Sequence, residues 1–307
     1  MKAIQLKEYG GPDQLVEVAV PKPQAHVGQV VVRVVATSLN PIDPKRASGS
    51  MRQIFPLEFP FIPGSDLSGV IDSIGDGVSG FQLGDEVYGG AVRGGSYAEF
   101  VAVEADKVAL KPRNLTHIEA ASLAAVAQTA VQALDRAGLE KGQTILIQGA
   151  GGAVGSVAVQ LAHLRGARII ASASAASADR LRSYGADEVV DYRTTPFETV
   201  AKDVDVVLDT VGGEVQQRSY SVLKPGGVLI AISQPPSQQE ADKHQVRASF
   251  FPTNISGANL VPLTALIDAG QIKPCVGRTY PLSEAAKAWR DSSTDHVQGK
   301  IVLTTGA

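Results

Sequence analysis

The segment from Thr144 to Ala162, TILIQGAGGAVGSVAVQLA, constrains the fold of this chain more than any other. Its first four residues form a run rich in β-branched side chains, as in a parallel strand covered on both faces. Four glycines follow, and apolar residues then recur at helical spacing. A strand, a glycine turn and a helix in this order direct unpaired backbone N–H groups and the positive end of a helix dipole at one point. The segment therefore predicts a pyrophosphate site, and hence a bound dinucleotide.

The glycine spacing departs from the usual dinucleotide fingerprint. GxGxxG counted from Gly149 requires a glycine where the chain has Val154, whereas GxxGxxG fits through Gly149, Gly152 and Gly155. Glycine-rich turns between a strand and a helix also occur where only tight packing is needed, so that alternative stays open for the motif alone. The turn residues predicted to bind the cofactor are Gly149, Ala150, Gly151, Gly152, Ala153, Val154 and Gly155.

Apolar strands alternate with helical stretches after this motif. The further strands are predicted at 168–171, 188–191, 204–209, 227–232 and 246–251. Such alternation implies parallel strands joined by right-handed crossovers, and therefore an α/β fold with a doubly wound sheet. Ligands bind beyond the carboxyl ends of these strands, where the chain has Gly212, Ser233 and the segment Phe251 to Asn254.

The end of the second strand predicts which dinucleotide is bound. NAD enzymes place Asp or Glu about 20 residues beyond the glycines to bond the ribose 2′-hydroxyl, whereas this chain has Ser172 and Ser174. Small hydroxyls leave room for a 2′-phosphate, and Arg180, Tyr192 and Arg193 follow within reach of it. The alternative is that both arginines are solvated surface residues. The pattern favours NADP(H).

The first 115 residues have a different pattern, with short alternating apolar runs separated by glycine and proline turns. This pattern is typical of a compact, mostly antiparallel β domain. After about Asn259 the chain predicts helix, strand, helix and a last strand at Lys300 to Thr304, which we expect to return to the first domain. The predicted domains are residues 1–117 with 259–307, and residues 118–258.

The chain resembles the zinc-free medium-chain dehydrogenases/reductases of the quinone oxidoreductase (zeta-crystallin-like) group. The matching blocks, in the same order over nearly the whole chain, are MKA at 1–3, NPID at 40–43, PGSDLSG at 63–69, GDEV at 84–87, GSYAEF at 95–100, the glycine turn at 149–155, GAD at 185–187 and LKPGG at 223–227. The resemblance implies a GroES-like, mainly antiparallel β domain for substrate and a Rossmann domain for cofactor. Members of the group are commonly dimers or tetramers that use NADPH to reduce quinones or α,β-unsaturated carbonyls, and we expect a homodimer with this activity.

The resemblance implies candidate catalytic residues in the segment 40–49. Asn40 is expected near the nicotinamide, where it bonds the substrate or the ribose. Asp43 is expected to fix this loop through backbone N–H groups. Many members carry Tyr at the position of Lys45, and others carry Lys, so Lys45 is a candidate donor to the carbonyl; a solvated loop lysine is the alternative.

On the cofactor side, the resemblance adds Thr129, expected at a helix start beside the nicotinamide. It implies that Gly212 ends the fourth strand and that Phe251 to Asn254 pair with the carboxamide through backbone groups. Lys300, in the segment GKIVL, is interpreted as structural.

The chain lacks the usual ligands of zinc, which needs about four Cys, His or carboxylate groups, or three plus water. It has one cysteine, Cys275, and five histidines, without a C-x-x-C or H-x-x-x-H arrangement. By resemblance, Asn40, Ser65 and Asp66 stand where zinc-dependent relatives have Cys and His-Glu. We therefore expect no metal and a reaction by positioning, in which the cofactor supplies a hydride and the protein orients the acceptor.

Two other functions stay open. One is an enoyl-thioester reductase on the same scaffold, and the other is a non-enzymatic NADPH-binding or sensor protein. The net charge of −3 and the pI near 6.0 predict no general attraction for nucleic acid or an anionic membrane. The single cysteine and the absence of a charged-then-apolar leader predict a cytoplasmic protein.

Overall fold

The chain forms two compact units in the computed structural model, which describes residues 1–294 and 297–306. Unit 1 contains residues 1–125, 255–270 and 274–307, and unit 2 contains residues 126–254 and 271–273. The predicted domain limits, 117/118 and 258/259, lie near two of these divisions, and the domain assignment stays a prediction.

Unit 2 is built on a six-stranded parallel sheet with α-helices in four of the five connections between successive strands. Its strands are β8 (Thr144–Gln148), β9 (Arg168–Ala173), β10 (Glu188–Asp191), β11 (Val204–Asp209), β12 (Leu223–Ala231) and β13 (Arg247–Phe250). Their order is β10-β9-β8-β11-β12-β13, so the chain moves outward from β8 first in one direction and then in the other. This confirms the predicted doubly wound sheet and brings the carboxyl ends of β8, β9, β11 and β12 to one edge.

The helices of unit 2 cover a sheet that is apolar on both faces. They are α3 (Ala153–Leu164), α4 (Ala178–Ser183), α5 (Gly213–Ser219) and α6 (Gln238–Lys243). Leu146, Val207 and Leu229 belong to one buried cluster with Phe197 and Tyr220. Each such side chain contributes about 1.5–3 kcal/mol on burial, which explains why the strand runs could be recognised from their apolar character.

Unit 1 contains a seven-stranded sheet and a separate antiparallel pair, β1 (Lys2–Gln5) with β2 (Val16–Ala19). The large sheet consists of β3 (Gln29–Ser38), β4 (Asp66–Ile74), β5 (Glu86–Gly90), β6 (Phe100–Glu104), β7 (Val108–Leu110), β14 (Val276–Pro281) and β15 (Lys300–Thr304). Its order is β14-β15-β3-β4-β5-β7, with β6 also paired to β3. All pairs are antiparallel except β14 with β15. The last strand therefore joins the first part of the chain, as predicted.

The helices of unit 1 are α1 (Ile42–Ala47), α7 (Gly257–Asp268) and α8 (Ala285–Thr294), and α2 (His117–Ala137) crosses the division between the units. Two expectations about these helices were wrong. Lys45 lies in α1 rather than in an irregular loop. Thr129 lies in the interior of α2, not at a helix start, because the alanine-rich sequence from His117 continues without a glycine or proline to end the helix. In the part of the chain that the structure describes, no helix is long and apolar enough to span a bilayer.

Candidate cofactor site and candidate active site

The turn between β8 and α3 leaves backbone uncovered by side chains. Gly149 has φ +66°, a conformation that favours glycine, and the Ala150 N–H donates to the Ser172 carbonyl at 2.9 Å. A Cβ at Gly155 would lie 2.5 Å from the Gly149 carbonyl oxygen, so only glycine fits there. The backbone N–H groups of Ala153 and Val154 have no acceptor among the residues that the structure describes. Unpaired donors at the start of a twelve-residue helix fit a pyrophosphate group.

A second set of unsatisfied polar atoms lies at the ends of β11 and β12. Asp209, fully buried, accepts hydrogen bonds from the N–H groups of Val211 (2.9 Å) and Gly212 (2.8 Å) and from Gln216 Nε2 (2.9 Å). Gly212 has φ +84°, and a Cβ there would lie 2.6 Å from Ser233 Oγ. Ser233 Oγ and Gln216 Oε1 are buried and have no hydrogen-bond partner within the described ranges. Because buried polar atoms are almost always paired, these two fit a ligand that brings hydrogen-bonding groups to this edge.

The end of β9 brings together the residues predicted around a 2′-phosphate. Ser172 is buried, Ser174 is half-buried just beyond the strand, and the Tyr192 N–H donates to the Ala173 carbonyl at 3.3 Å. Arg180 Nη2 donates to the Gly151 carbonyl at 2.9 Å, so its guanidinium lies against the glycine turn itself. Tyr192 is exposed, and the Arg193 guanidinium stands 5.7 Å from its ring centre. Arg180 Nη2 also lies 3.5 Å from Ser177 Oγ, and Asp191 on β10 pairs in register with Ala173, so a cation and a carboxylate both lie near this strand end.

Residues 251–254 are attached to α2 by side chains of that helix. Thr129 Oγ1 and Thr253 Oγ1 are hydrogen-bonded at 2.8 Å, and the Arg136 guanidinium lies 4.8 Å from the Phe251 ring centre. Gln132 accepts from the Asn254 N–H at 3.0 Å and donates to its carbonyl at 2.9 Å. Gln132 thus bonds the backbone N–H and carbonyl of Asn254, and the pairing of residues 251–254 with a carboxamide stays a prediction. Sequence reasoning missed Gln132 because a glutamine on a helix gives no signal of its partner.

Unit 1 contains a buried polar cluster around Asn40, which follows β3. Asp66 begins β4 and Lys300 begins β15; since both strands are antiparallel neighbours of β3, their first residues lie beside its end. Asn40 Nδ2 donates to Asp66 Oδ2 at 2.8 Å and to Ser65 Oγ at 3.1 Å. Lys300 Nζ donates to Asn40 Oδ1 and lies 3.3 Å from Asp66 Oδ2. The side chains of Lys300 and Asp66 are 5% and 1% exposed, so this is a buried ion pair.

Lys300 is thus part of the polar cluster around Asn40, and its interpretation as structural stays a prediction. Its ammonium stands at the first position of an otherwise apolar strand, KIVLT. A lysine at the start of a buried strand is itself buried and needs a carboxylate partner. This position in the sequence was the signal that could have identified Lys300.

Asp43 lies beside this cluster, in the first turn of α1. Its side chain accepts a hydrogen bond from the Asn40 N–H at 2.8 Å and is 4% exposed. Burial, with a smaller contribution from the neighbouring Asp66 carboxylate, raises the pKa of Asp43 to about 7, against the opposing effects of the Asn40 hydrogen bond and the Lys300 and Arg46 charges. Burial, and then the Asp43 charge, also raises the pKa of Tyr97 well above its ordinary value. Lys45 is exposed on α1, and its ammonium has no partner in the described structure.

Asp43 predicts a pH-dependent stability. Its pKa of about 7 in the folded chain lies above the ordinary value of 3.8, so the folded chain holds a proton that the unfolded chain releases. The contribution of Asp43 to the unfolding free energy is therefore complete below pH 3.8 and is lost as the pH rises through about 7. Asp43→Asn keeps an acceptor for the Asn40 N–H but cannot ionise. We expect the difference in unfolding free energy, Asp43→Asn minus wild type, to increase as the pH rises from 5 to 8. Urea unfolding across this range checks it, with exposed Asp76→Asn as the control; equal pH dependence in the wild type and Asp43→Asn would contradict the assignment.

The donor set of the cluster does not suit a metal. Among residues 1–294 and 297–306, no three His, Cys, Asp or Glu side chains are grouped as a metal site requires. The Asp66 carboxylate already accepts from Ser38 Oγ (2.6 Å), Asn40, Lys300 and the Ala125 N–H (3.1 Å). An amide, a hydroxyl and an ammonium complete the cluster, and an ammonium repels a cation.

Comparisons with known proteins agree with this architecture. Residues 26–113 match the family described as alcohol dehydrogenase GroES-like domain, and residues 184–303 match the family described as zinc-binding dehydrogenase. The chain is 36% identical over 321 residues to 2-methylene-furan-3-one reductase of Solanum lycopersicum, with 99% of this chain and 79% of that protein covered. It is 35% identical over 320 residues to the chloroplastic NADPH-dependent alkenal/one oxidoreductase of Arabidopsis thaliana, with the same coverage.

A solved structure, the quinone oxidoreductase from Coxiella burnetii, superposes with a TM-score of 0.92 at 32% identity and covers 99% of both chains. The predicted GroES-like domain and the predicted Rossmann-like domain are both confirmed. The chain belongs to the medium-chain dehydrogenase/reductase family, in its quinone oxidoreductase group.

Proposed function

We propose that this protein is an NADPH-dependent, zinc-independent oxidoreductase that reduces quinones or α,β-unsaturated carbonyls. The observation that carries the cofactor assignment is the β8–α3 turn, with its unpaired backbone N–H groups and the Arg180 guanidinium that donates to the Gly151 carbonyl. Ser172 and Ser174 at the end of β9 support the choice of NADP(H). The names of the relatives, an alkenal/one oxidoreductase and a furanone reductase among them, support the acceptor class. Zinc independence rests on the donor set around Asn40.

When bound, NADPH supplies a hydride. The β8–α3 turn binds the pyrophosphate, and Ser233 Oγ and Gln216 Oε1 bond further cofactor groups. Hydride addition to a conjugated carbonyl places negative charge on its oxygen, and hydrogen-bond donors stabilise that charge. In unit 1 we assign this task to the polar cluster of Asn40, with Lys45 as an exposed cation that attracts the same oxygen. Asp43 holds Asn40 in place through its backbone N–H.

The test of this function is NADPH oxidation at 340 nm with a benzoquinone, a naphthoquinone, an alkyl vinyl ketone and crotonyl-coenzyme A, each repeated with NADH. We expect turnover of the quinones or the vinyl ketone, with NADPH preferred. Turnover of crotonyl-coenzyme A alone would replace the proposal with an enoyl-thioester reductase. Tight NADPH binding without turnover of any acceptor would favour a non-enzymatic cofactor-binding protein.

The cofactor preference has its own test at Ser174. Ser174→Asp places a carboxylate where the 2′-phosphate is proposed to bind, and the two negative groups repel each other. We expect the ratio of kcat/KM with NADPH to that with NADH to fall by about tenfold or more, a difference of about 1.4 kcal/mol. Ser174→Asn, similar in size but neutral, is the matched control and should keep the preference. An unchanged ratio in Ser174→Asp would place the phosphate elsewhere.

The proposal includes a homodimer and a cytoplasmic location. β13 is an edge strand of the unit 2 sheet, and Phe250 on it is 42% exposed, which supports pairing of this edge with a second copy. Sedimentation of the wild type and of Phe250→Lys tests the dimer. The cytoplasmic location rests on the single cysteine, which allows no disulfide within the chain.

A further inference from the structure

The Asn40 carboxamide can adopt only one orientation in its cluster. Lys300 Nζ has hydrogens and no lone pair, so it must face the amide oxygen, Oδ1. The Asp66 carboxylate accepts the Lys300 contact and three other hydrogen bonds, so it must face the amide nitrogen, Nδ2. Both partners enforce the same orientation. A flipped amide would place Oδ1 against a carboxylate and Nδ2 against an ammonium.

This orientation determines which hydrogen bonds the Ser65 hydroxyl can form. Asn40 Nδ2 has two hydrogens; one bonds Asp66, and the other bonds Ser65 Oγ at 3.1 Å. Ser65 Oγ is therefore an acceptor from Asn40, and its own O–H must point elsewhere. In the part of the chain that the structure describes, that hydrogen has no acceptor, and Ser65 is half-buried rather than enclosed. Asn40 itself has no N–H left for a ligand.

The backbone at Ser65 is held rigidly. Gly64 has φ +91°, and a Cβ there would lie 2.1 Å from Tyr97 Cδ1 and 2.4 Å from Ser96 Oγ. The Ser65 carbonyl accepts from the Ala91 N–H at 2.7 Å. A hydroxyl on a fixed backbone, hydrogen-bonded on one side and free to donate on the other, is preorganised to stabilise an oxyanion.

We propose that the Ser65 hydroxyl donates a hydrogen bond to the oxygen of the hydride acceptor, and that Lys300 is a positioning residue that orients this donor through Asn40. The inference rests on the proposed function and names a donor within it. No proton is transferred by Ser65; it only bonds the oxygen as negative charge develops there. The three side chains form a directed series of donors, Lys300 to Asn40 to Ser65 to ligand, in which each bond polarises the next.

Steady-state kinetics with NADPH and a vinyl ketone test this series. Ser65→Ala is expected to lower kcat about 10²-fold, the effect of removing one oxyanion donor, while the NADPH dissociation constant stays within twofold of the wild type. Ser65→Thr, which keeps the hydroxyl, should restore most of kcat.

Lys300→Met should lower kcat similarly, because it removes the residue that orients the Ser65 donor. The double variant Ser65→Ala/Lys300→Met should have a kcat no lower than the poorer single variant, since both substitutions remove the same hydrogen bond to the acceptor oxygen. Lys243→Met, on the exposed surface, is the control. Ser65→Ala with kcat within threefold of the wild type would overturn the proposal.

A spectroscopic measurement separates this proposal from the proposed function. With oxidised cofactor, 2-cyclohexenone can bind without reduction, and a donated hydrogen bond lowers the stretching frequency of its carbonyl. We expect a lower frequency on the wild type than on Ser65→Ala, and Lys300→Met should approach Ser65→Ala while staying folded. If the shift is present but no acceptor is turned over, the donor assignment holds and the proposed function fails. If acceptors are turned over with the same frequency in wild type and Ser65→Ala, the donor assignment fails alone.

Discussion

Asp66→Ala is expected to lose about 3–5 kcal/mol of unfolding free energy, the cost of leaving one member of a buried ion pair without its partner. Asp66 is 1% exposed and accepts from Lys300, Asn40 and Ser38 as well as a backbone N–H. Its removal leaves the Lys300 ammonium buried without a counter-charge. Urea unfolding monitored by circular dichroism measures the loss.

Asp72→Ala is the matched control because Asp72 lies on the same strand, β4, and pairs with Lys22 at 2.7 Å. That pair is on the surface, with side chains 27% and 44% exposed, so its loss should cost less than about 1 kcal/mol. The double variant Asp66→Ala/Lys300→Met removes both charges and should recover part of the stability. Equal losses for Asp66→Ala and Asp72→Ala would show that the buried pair does not stabilise unit 1.

Gly155→Ala is expected to weaken NADPH binding strongly. The new Cβ would lie 2.5 Å from the Gly149 carbonyl oxygen and 2.6 Å from the Ala150 Cα, both backbone atoms that cannot rotate away. Such overpacking costs about 1–3 kcal/mol. If the turn has to move to relieve it and the bound cofactor loses the same free energy, the affinity for NADPH falls roughly 5- to 150-fold. Fluorescence titration with NADPH and thermal unfolding report the two effects.

Gly11→Ala is the control for this variant, since a Cβ at Gly11 meets nothing within 4 Å and its φ is −86°. It should leave both NADPH affinity and melting temperature near the wild-type values. Gly152→Ala separates packing from ligand approach, because its Cβ would meet only the Gly149 oxygen, at 3.3 Å. If it keeps stability but loses affinity, the cofactor passes directly over Gly152. Unchanged affinity in Gly155→Ala would contradict the cofactor assignment of the turn.

Most strands of unit 2 could be predicted because their central residues are apolar and lie in a sheet covered on both sides. β10 and β11 have the predicted bounds, and β12 begins earlier than predicted, at Leu223 rather than Gly227. The early start escaped prediction because the sequence LKPGG is typical of a turn, yet Leu223 still pairs with Val204.

The candidate active site was less accessible to sequence reasoning because its contacts join distant segments. Asn40 was recognised from its motif, but its orientation depends on Lys300, which no local pattern connects with it. The same holds for Ser65, whose hydroxyl gains a direction only from the amide beside it. Asp43 was expected to bind a backbone N–H, but its raised pKa depends on burial and on Asp66, which become visible only when β3 and β4 are paired.

The position of β15 sets the order in which this molecule can be completed during synthesis. Asn40 and Lys300 are in contact but are 260 residues apart in the sequence. At about 5–20 residues per second, roughly 10 to 50 s pass on the ribosome between the two. The β8–β13 sheet lies wholly within that interval, so its strands leave the ribosome while the carboxylate of Asp66 still has no ammonium to pair with. The polar cluster around Asn40 therefore cannot be completed until β15 has been synthesised, after the strands of the unit 2 sheet.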